Sequence, residues 1–143
     1  MRDTPPVDQS FLLGLLGYNC LQAYLKLSPP IKKLLAKYKL RPVEFTVLSV
    51  IAENPQINQK RLGEAINVSP PNMATLLDRM QDEGLLTRQR NPRDKRSQIL
   101  ALTEHGASLY DKARWQLYKL EAAPNLNTEE HEHLIRLLQK IFL

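Results

Sequence analysis

Hydrophobic residues recur at helical spacing along most of this 143-residue chain, so the pattern predicts a mainly helical protein. The first third of the chain contains three such segments, over residues 9–27, 31–38 and 42–53. The segment 28–30 contains two prolines and predicts a break between the first two helices. Proline breaks helices because it lacks the amide hydrogen that an interior turn needs.

The middle of the chain predicts two helices joined by a tight turn over residues 67–69. Asn58 is a suitable N-cap for the first helix and Ser69 for the second, where Pro70 suits the first helical position. Gly84 predicts the end of the second helix, because glycine readily adopts the left-handed conformation that closes many helices. This order predicts a helix-turn-helix.

A short β-hairpin is predicted directly after the second of these helices. Residues 85–90 and 97–102 have the lengths and composition of strands, and the polar segment 91–96 between them predicts a turn. Residues 56–57 offer a further, very short strand. A helix-turn-helix followed by such a hairpin is a winged helix-turn-helix, whose second helix fits a DNA major groove while the wing lies beside it.

The last third of the chain predicts two more helices. The first begins after Thr103, its expected N-cap, and reaches Ala123, where Pro124 stops it. Asn127 is the expected N-cap of the last helix, and Glu130 three residues later completes a capping box. Each of these helices carries one apolar stripe.

Both ends of the chain are more apolar than a small domain needs for its own core. The first helix and the last two can pack against one another or against a second copy of the chain, and we favour the second copy. The predicted fold class is mainly α with a small β-wing. Residues 1–40 and 104–143 form a helical dimerisation region, and residues 41–103 form the winged helix-turn-helix domain.

Positive charge is concentrated in the predicted wing. The chain has a net charge of +5, and residues 88–96 contain five arginines or lysines against one aspartate, a net charge of +4. Residues 121–143 instead carry a net charge of −2. Beside a helix-turn-helix, a cationic wing favours binding to nucleic-acid phosphates over the alternative of a solvated basic loop.

The remaining composition narrows the class of protein. Cys20 is the only cysteine, which excludes an internal disulfide framework and is typical of a reducing compartment. The N-terminus has no secretory-signal pattern, and the apolar stretch 11–17 is too short to cross a bilayer, so we expect a cytoplasmic protein without a membrane partner. We expect no metal site, no cofactor and no enzymatic activity, because no ligand spacing, phosphate-binding loop or nucleophile elbow is present in the sequence.

Six segments together resemble the MarR family of winged helix-turn-helix transcriptional regulators, and the resemblance extends over residues 11–141. The segments are 40–45, 59–63, 77–80, 84–88, 91–97 and 102–106. The wing sequence Asn-Pro-Arg-Asp-Lys-Arg-Ser is the most specific of them. The resemblance implies a homodimer that binds a pseudo-palindromic operator in double-stranded DNA. It also implies that a small molecule or an oxidant releases the DNA.

The pattern and the resemblance together indicate which residues bind DNA. On the second helix of the motif, the tip and the polar face are expected to enter the groove: Ser69, Pro70, Asn72, Thr75 and Arg79. On the wing, the cationic side chains are expected to contact phosphates: Arg88, Arg90, Arg93, Lys95 and Arg96. Arg96 resembles the arginine that the family inserts into the minor groove, and Asp94 is expected to hold it in place. For Arg88 and Arg90, structural salt bridges are the alternative.

A small-molecule effector is expected where the dimerisation helices meet the winged domain, as the resemblance implies. The candidate residues for binding an aromatic acid are Tyr18, Gln22, Tyr24 and Tyr38. They would give an apolar pocket a few polar groups. The alternative for each tyrosine is an ordinary core or interface residue. The resemblance also implies a candidate redox site at Cys20, because a redox-sensing branch of the family has a cysteine in the first helix one turn before a tyrosine, as Cys20 and Tyr24 are here. The alternative for Cys20 is an unreactive buried thiol.

The sequence therefore predicts a homodimeric, sequence-specific DNA-binding regulator, a repressor that a small and aromatic ligand releases from its operator. Two alternatives remain open: a redox-sensing repressor that acts through Cys20, and a winged-helix module that binds another protein. The wing favours DNA, since a protein-interaction module has no need of Arg93, Lys95 and Arg96 together.

Overall fold

The computed structural model describes residues 6–120 and 125–143, and within them the chain is mostly helical with one two-stranded sheet. The elements in chain order are α1 Ser10–Leu13, α2 Leu16–Ala36, α3 Pro42–Glu53, α4 Gln59–Ile66, α5 Pro70–Asp82, β1 Leu86–Arg90, β2 Gln98–Leu102, α6 Glu104–Leu120 and α7 Thr128–Phe142. The predicted fold class of a winged helix-turn-helix with additional helices at both ends is confirmed.

The core lies between α3, α4, α5, α6 and the buried side of the hairpin. Leu48, Leu62 and Leu77 are fully buried there, one from each of the three helices that precede the wing. Tyr110 of α6 closes the core from the other side, and its hydroxyl lies 3.2 Å from Ser49 Oγ of α3. Because α6 packs directly on α3, the helix that follows the wing is firmly attached to the winged domain.

Local capping signals define the helix-turn-helix. The Asn58 side chain accepts a hydrogen bond from Arg61 N at 2.9 Å, as an N-cap does, and Pro70 occupies the first position of α5. Gly84 follows the C-cap residue of α5 and has φ +73°, so it ends the helix in the left-handed conformation, as predicted. One detail is wrong: Ser69 precedes α5 at the N-cap position, but its side chain makes no capping hydrogen bond.

The predicted break at residues 28–30 is also wrong. The helix α2 continues through Pro29 and Pro30, and the chain is instead interrupted at Gly14, between α1 and α2. Both prolines are exposed, so water can satisfy the carbonyls that lose their intrahelical donors. Packing of Leu35 into the core holds the C-terminal part of the helix in place and outweighs the local cost of the prolines.

The wing is a regular antiparallel hairpin that is anchored at its base. Leu86 pairs with Leu102 and Arg90 with Gln98, and Leu100 N donates to Ile57 O at 2.9 Å. The very short strand predicted at residues 56–57 is reduced to this hydrogen bond and an isolated bridge between Asn58 and Ile99. The wing is therefore tied to the start of α4 as well as to α5.

The junction between the wing and α6 is closely packed. Thr103 caps α6 by accepting from Gly106 N at 3.0 Å, and its hydroxyl donates to Gly84 O at 2.5 Å. A Cβ at Gly106 would lie 1.9 Å from Leu85 O, so only glycine allows the helix to approach the chain this closely. The predicted end of this helix at Ala123 and Pro124 lies outside the described residues.

The apolar faces at the two ends of the chain are exposed in the single protomer. None of the residues of α7 is buried, although its predicted Asn127–Glu130 capping box is present. The exposed apolar side chains of α7 are Leu134, Ile135, Leu137, Leu138, Ile141 and Phe142. Phe11 of α1 and Leu16 of α2 are exposed in the same way. No helix within residues 6–120 and 125–143 has the length and hydropathy to cross a membrane.

Candidate nucleic-acid interface

The helix α5 has one face in the core and one face in solvent. Met73, Leu77 and Met80 are fully buried, whereas Asn72 and Thr75 are exposed on the other side. Ser69 and Pro70, at the N-terminal tip, are exposed as well. Thr75 Oγ1 donates to Pro71 O at 3.1 Å, so this hydroxyl retains accepting capacity for an outside donor. The exposed polar side chains of α5 are available to enter a groove.

Arg79 differs from these residues because it turns toward the protein. Its Nη2 donates to Oε1 of Glu44, whose side chain is only 3% exposed on α3. Its Nε lies 3.7 Å from Glu83 Oε1 and makes no hydrogen bond within the part of the chain that the structure describes. The structure therefore places Arg79 beside a buried carboxylate and not with the exposed groove-facing pair.

Glu44, the buried partner of Arg79, is not among the site residues that the sequence predicts. Its Oε2 accepts from Arg41 N at 2.7 Å, which closes the first turn of α3, while Oε1 lies 3.4 Å from Arg41 Nε. The spacing of Arg41 and Glu44 is that of a residue before a helix and the third residue within it, so this local contact could have been found from the sequence. The contact to Arg79, 35 positions later, could not.

Arg88 forms a structural salt bridge, which is the alternative that the sequence left open for it. Its Nη2 donates to Asp78 Oδ1 at 2.7 Å and its Nη1 to Gln81 Oε1 at 2.8 Å, which joins the first strand of the wing to α5. The Arg88 side chain is only 18% exposed. Its charge is largely compensated, and its contacts tie the first strand of the wing to α5.

The other four cations of the wing are exposed. They are Arg90, Arg93, Lys95 and Arg96, and the structure gives their side chains no ion pair with any described residue. Exposed and uncompensated, these side chains produce the positive field that phosphate binding requires.

Asp94 shapes the turn that carries these cations. Its Oδ1 accepts from Arg96 N at 3.0 Å, and its backbone oxygen accepts from Ser97 N at 3.1 Å. Asn91 acts in the same way one step earlier, accepting from Arg93 N at 3.0 Å. Asp94 thus supports the wing by holding the backbone of Arg96 in place.

An apolar cavity of about 670 Å³ lies between α2, the start of α3 and α7. It is lined by Leu16, Asn19, Cys20, Ala23, Tyr24, Leu27, Ser28, Ile31, Pro42, Leu134 and Leu138. None of these residues carries a charge. Asn19 is already committed, since its side-chain amide donates to Leu13 O and Leu15 O. Few polar groups are therefore left to orient a ligand.

The four predicted ligand-binding residues do not come together. Tyr24 lines the apolar cavity, whereas Tyr38 lines a separate one of about 530 Å³, between the turn after α2 and the start of α6. Tyr18 donates to Gln9 Oε1 at the N-terminal end, and neither Tyr18 nor Gln22 lines either cavity. Cys20 is exposed as well as lining the apolar cavity, so it is not the buried residue of the alternative interpretation.

Comparison with known proteins assigns this arrangement to a family. The model of the MarR family matches residues 40–98, which include α3, the helix-turn-helix and the wing up to the first residue of β2. The structure of the transcriptional repressor CouR bound to a 23-mer DNA duplex superposes with a TM-score of 0.89 at 28% identity. That similarity covers 96% of this chain and 99% of CouR. The chain therefore contains a MarR-family domain over residues 40–98.

A second structure of CouR and a bacterial regulator are also similar to this chain. CouR bound to p-coumaroyl-CoA superposes with a TM-score of 0.78 at 27% identity, covering 95% of this chain and 97% of that one. The organic hydroperoxide resistance transcriptional regulator of Bacillus subtilis (strain 168) is 34% identical over 82 residues. That match covers 57% of this chain and 56% of the relative, so it spans little more than half of the relative's length.

Proposed function

We propose that this chain is a homodimeric DNA-binding transcriptional repressor. The observation that carries the proposal is the exposed, uncompensated cationic wing beside the exposed polar face of α5. Asn72 and Thr75 read base edges in the major groove, and Arg96 reaches the minor groove or its phosphates. Arg90, Arg93 and Lys95 contact the backbone. Ser69 and Pro70 lie at the tip of α5, where they contact the edge of the groove.

The shape of the protomer supports the DNA-binding role. The chain superposes on CouR with a TM-score of 0.89 when that repressor is bound to DNA and 0.78 when it is bound to p-coumaroyl-CoA. The comparison involves one protein in two states, so the difference reflects conformation and not sequence. The arrangement of helices in this chain is thus more similar to that of DNA-bound CouR than to that of CouR bound to p-coumaroyl-CoA.

The dimer is proposed from the exposed apolar ends of the chain. The residues of α7 and α1 leave large apolar side chains in water, among them Ile141, Phe142 and Phe11, and such continuous surfaces mark protein interfaces. A second copy related by a two-fold axis covers both. The dimerisation region is then residues 1–40 and 104–143, and the two copies of residues 41–103 present two recognition helices to one duplex.

The effector is proposed to bind in the apolar cavity between α2 and α7. Because the lining contains no cation, a carboxylate buried there would lose its hydration without gaining a partner, at a cost of several kcal/mol. An aromatic acid whose carboxyl group is converted to a thioester has no carboxylate to bury and avoids that cost. We therefore expect p-coumaroyl-CoA to release the operator at concentrations about a hundredfold below those of free p-coumarate. Equal potency of the two compounds would contradict this site.

Redox control through Cys20 is a second candidate, because one observation favours it. Cys20 is exposed and lines the same cavity as Tyr24, one turn away, and a relative is an organic hydroperoxide resistance regulator. An apolar hydroperoxide could reach the thiol there. If this mechanism operates, cumene hydroperoxide releases the operator from the parent protein but not from the Cys20→Ser variant. Identical responses of the two proteins would exclude it.

The DNA-binding proposal is tested by selection from a random duplex library at low ionic strength. We expect enrichment of one symmetric sequence, and we expect Arg96→Ala to weaken binding to it by at least about tenfold. Arg114→Ala is the matched control, because Arg114 is an exposed arginine of α6 far from the wing in sequence. Failure to enrich any sequence would favour the protein-interaction alternative instead.

A further inference from the structure

The contact between Glu44 and Arg79 joins α3 to α5. Within residues 6–120 and 125–143, Glu44 is the one buried acidic side chain, and it receives donors from two directions. Arg41 N closes the start of α3 on one oxygen, while Arg79 Nη2 of α5 reaches the other. A buried carboxylate of this kind is strongly dependent on its partners, since an unpaired charge in the interior is costly.

We propose that Glu44 and Arg79 are positioning residues that set the angle of the recognition helix α5 for DNA. This inference rests on the proposed DNA-binding function, and it changes the role expected of Arg79. The Nη2 that donates to the buried Glu44 carboxylate is committed to that contact, which fixes the position of the guanidinium beside α3. Arg79 affects DNA through the orientation of Asn72 and Thr75, which precede it by one to two turns on the same helix.

The geometry makes α5 sensitive to this one contact. The N-terminal part of α5 meets α4 at the turn, and its C-terminal part leads into the wing. Arg79 sits near that C-terminal part and ties it to the first turn of α3. Arg88 adds a second tie, from the first strand of the wing to Asp78, so the helix and wing are held as one unit relative to α3. Loss of the Glu44 contact lets that unit tilt.

A double-mutant cycle separates this role from a direct DNA contact. The operator duplex obtained by selection is titrated with the parent protein, Glu44→Gln, Arg79→Gln and the double variant, at temperatures well below their melting points. We expect each single variant to bind about tenfold more weakly, and the double variant to be no worse than either single one. The slope of log affinity against log salt stays that of the parent, because no phosphate contact is lost.

A direct contact gives different results. If Arg79 touches a phosphate, Arg79→Gln reduces the salt slope by about 1.8 for the dimer, and Glu44→Gln leaves affinity unchanged. If Arg79 reads a guanine, Arg79→Gln relaxes the selected sequence at one position of each half-site. Either result overturns the proposal. A merely stabilising contact lowers the melting temperature but leaves the affinity of the folded variants at the parent value, and this too overturns it.

The exposed pair Arg114 and Glu53 provides the matched control. Like Glu44 and Arg79, this pair joins a glutamate of α3 to an arginine of another helix, here α6. Arg114 Nη1 lies 3.3 Å from Glu53 Oε1, but both side chains are about 60% exposed. We expect Glu53→Gln and Arg114→Gln to leave operator affinity unchanged.

A measurement without DNA distinguishes failure of this inference from failure of the proposed function. Amide hydrogen exchange over residues 76–82 should become faster in Glu44→Gln and Arg79→Gln, but not in the two control variants. If no DNA is bound and exchange is accelerated, the proposed function fails while the contact still holds α5. If exchange is unchanged, the positioning role is refuted.

Discussion

The salt dependence of operator binding tests the roles of the wing cations quantitatively. Arg90, Arg93, Lys95 and Arg96 are exposed and uncompensated within the described residues, whereas Arg88 is paired with Asp78. Four phosphate contacts per protomer give about eight per dimer and a log–log slope near −7. Between 50 and 200 mM salt, this slope lowers affinity by about 10⁴-fold. Counting Arg88 as a fifth contact would give about −9 instead.

Replacement of Arg93, Lys95 and Arg96 by glutamine removes about six contacts per dimer and should reduce the slope to about −2. The loss of affinity over the same salt range then falls to roughly 15-fold. Fluorescence anisotropy of a labelled operator at five salt concentrations measures both slopes. Arg88→Gln is the internal control and should keep the parent slope. The reasoning is refuted if the triple variant retains a slope near −7, or if Arg88→Gln lowers the slope as much as Arg90→Gln does.

Three further predictions concern stability, assembly and ligand binding. Gly106→Ala should lower the free energy of unfolding by about 3 kcal/mol or more, because its Cβ would overlap a backbone carbonyl. Gly84→Ala should lower it by only about 1 kcal/mol, because the only strain there is the positive φ. Equal losses of the two variants in urea denaturation would contradict this. Leu137→Asp should weaken the dimer at least about a hundredfold in sedimentation experiments, whereas Gln139→Asp on the same helix should leave it unchanged. A dimer that neither variant weakens would show that α7 is not part of the interface. Ala23→Phe should fill the apolar cavity and abolish release by p-coumaroyl-CoA without changing operator affinity; normal release would place the effector elsewhere.

Local signals explain why most of the fold could be predicted from the sequence. Asn58, Gly84 and the Asn127–Glu130 pair each act within one helical turn of themselves, so residue type alone indicates where the helices begin and end. The buried stripe of α5 follows from the same periodicity. The failure at Pro29 has the opposite origin, because the helix there is maintained by packing between distant parts of the chain and not by local preference.

The candidate site could be predicted less completely from the sequence, because it too depends on contacts between distant parts of the chain. That the wing is cationic can be read from its composition, but which cations are compensated depends on partners in another element. Arg88 finds Asp78 ten residues earlier, and Arg79 finds Glu44 across the domain. Tyr18 and Tyr38 likewise looked equivalent to Tyr24 until the helices placed them in different surroundings.

We propose that two copies of this winged domain bind one duplex at symmetric half-sites. Sedimentation velocity of the selected operator with increasing protein, together with footprinting of both strands, measures the stoichiometry and the half-site spacing in one preparation. We predict two protomers per duplex and two protected half-sites about one helical turn, or roughly 10 base pairs, apart. A complex of one protomer per duplex, or protection without two-fold symmetry, would contradict the account.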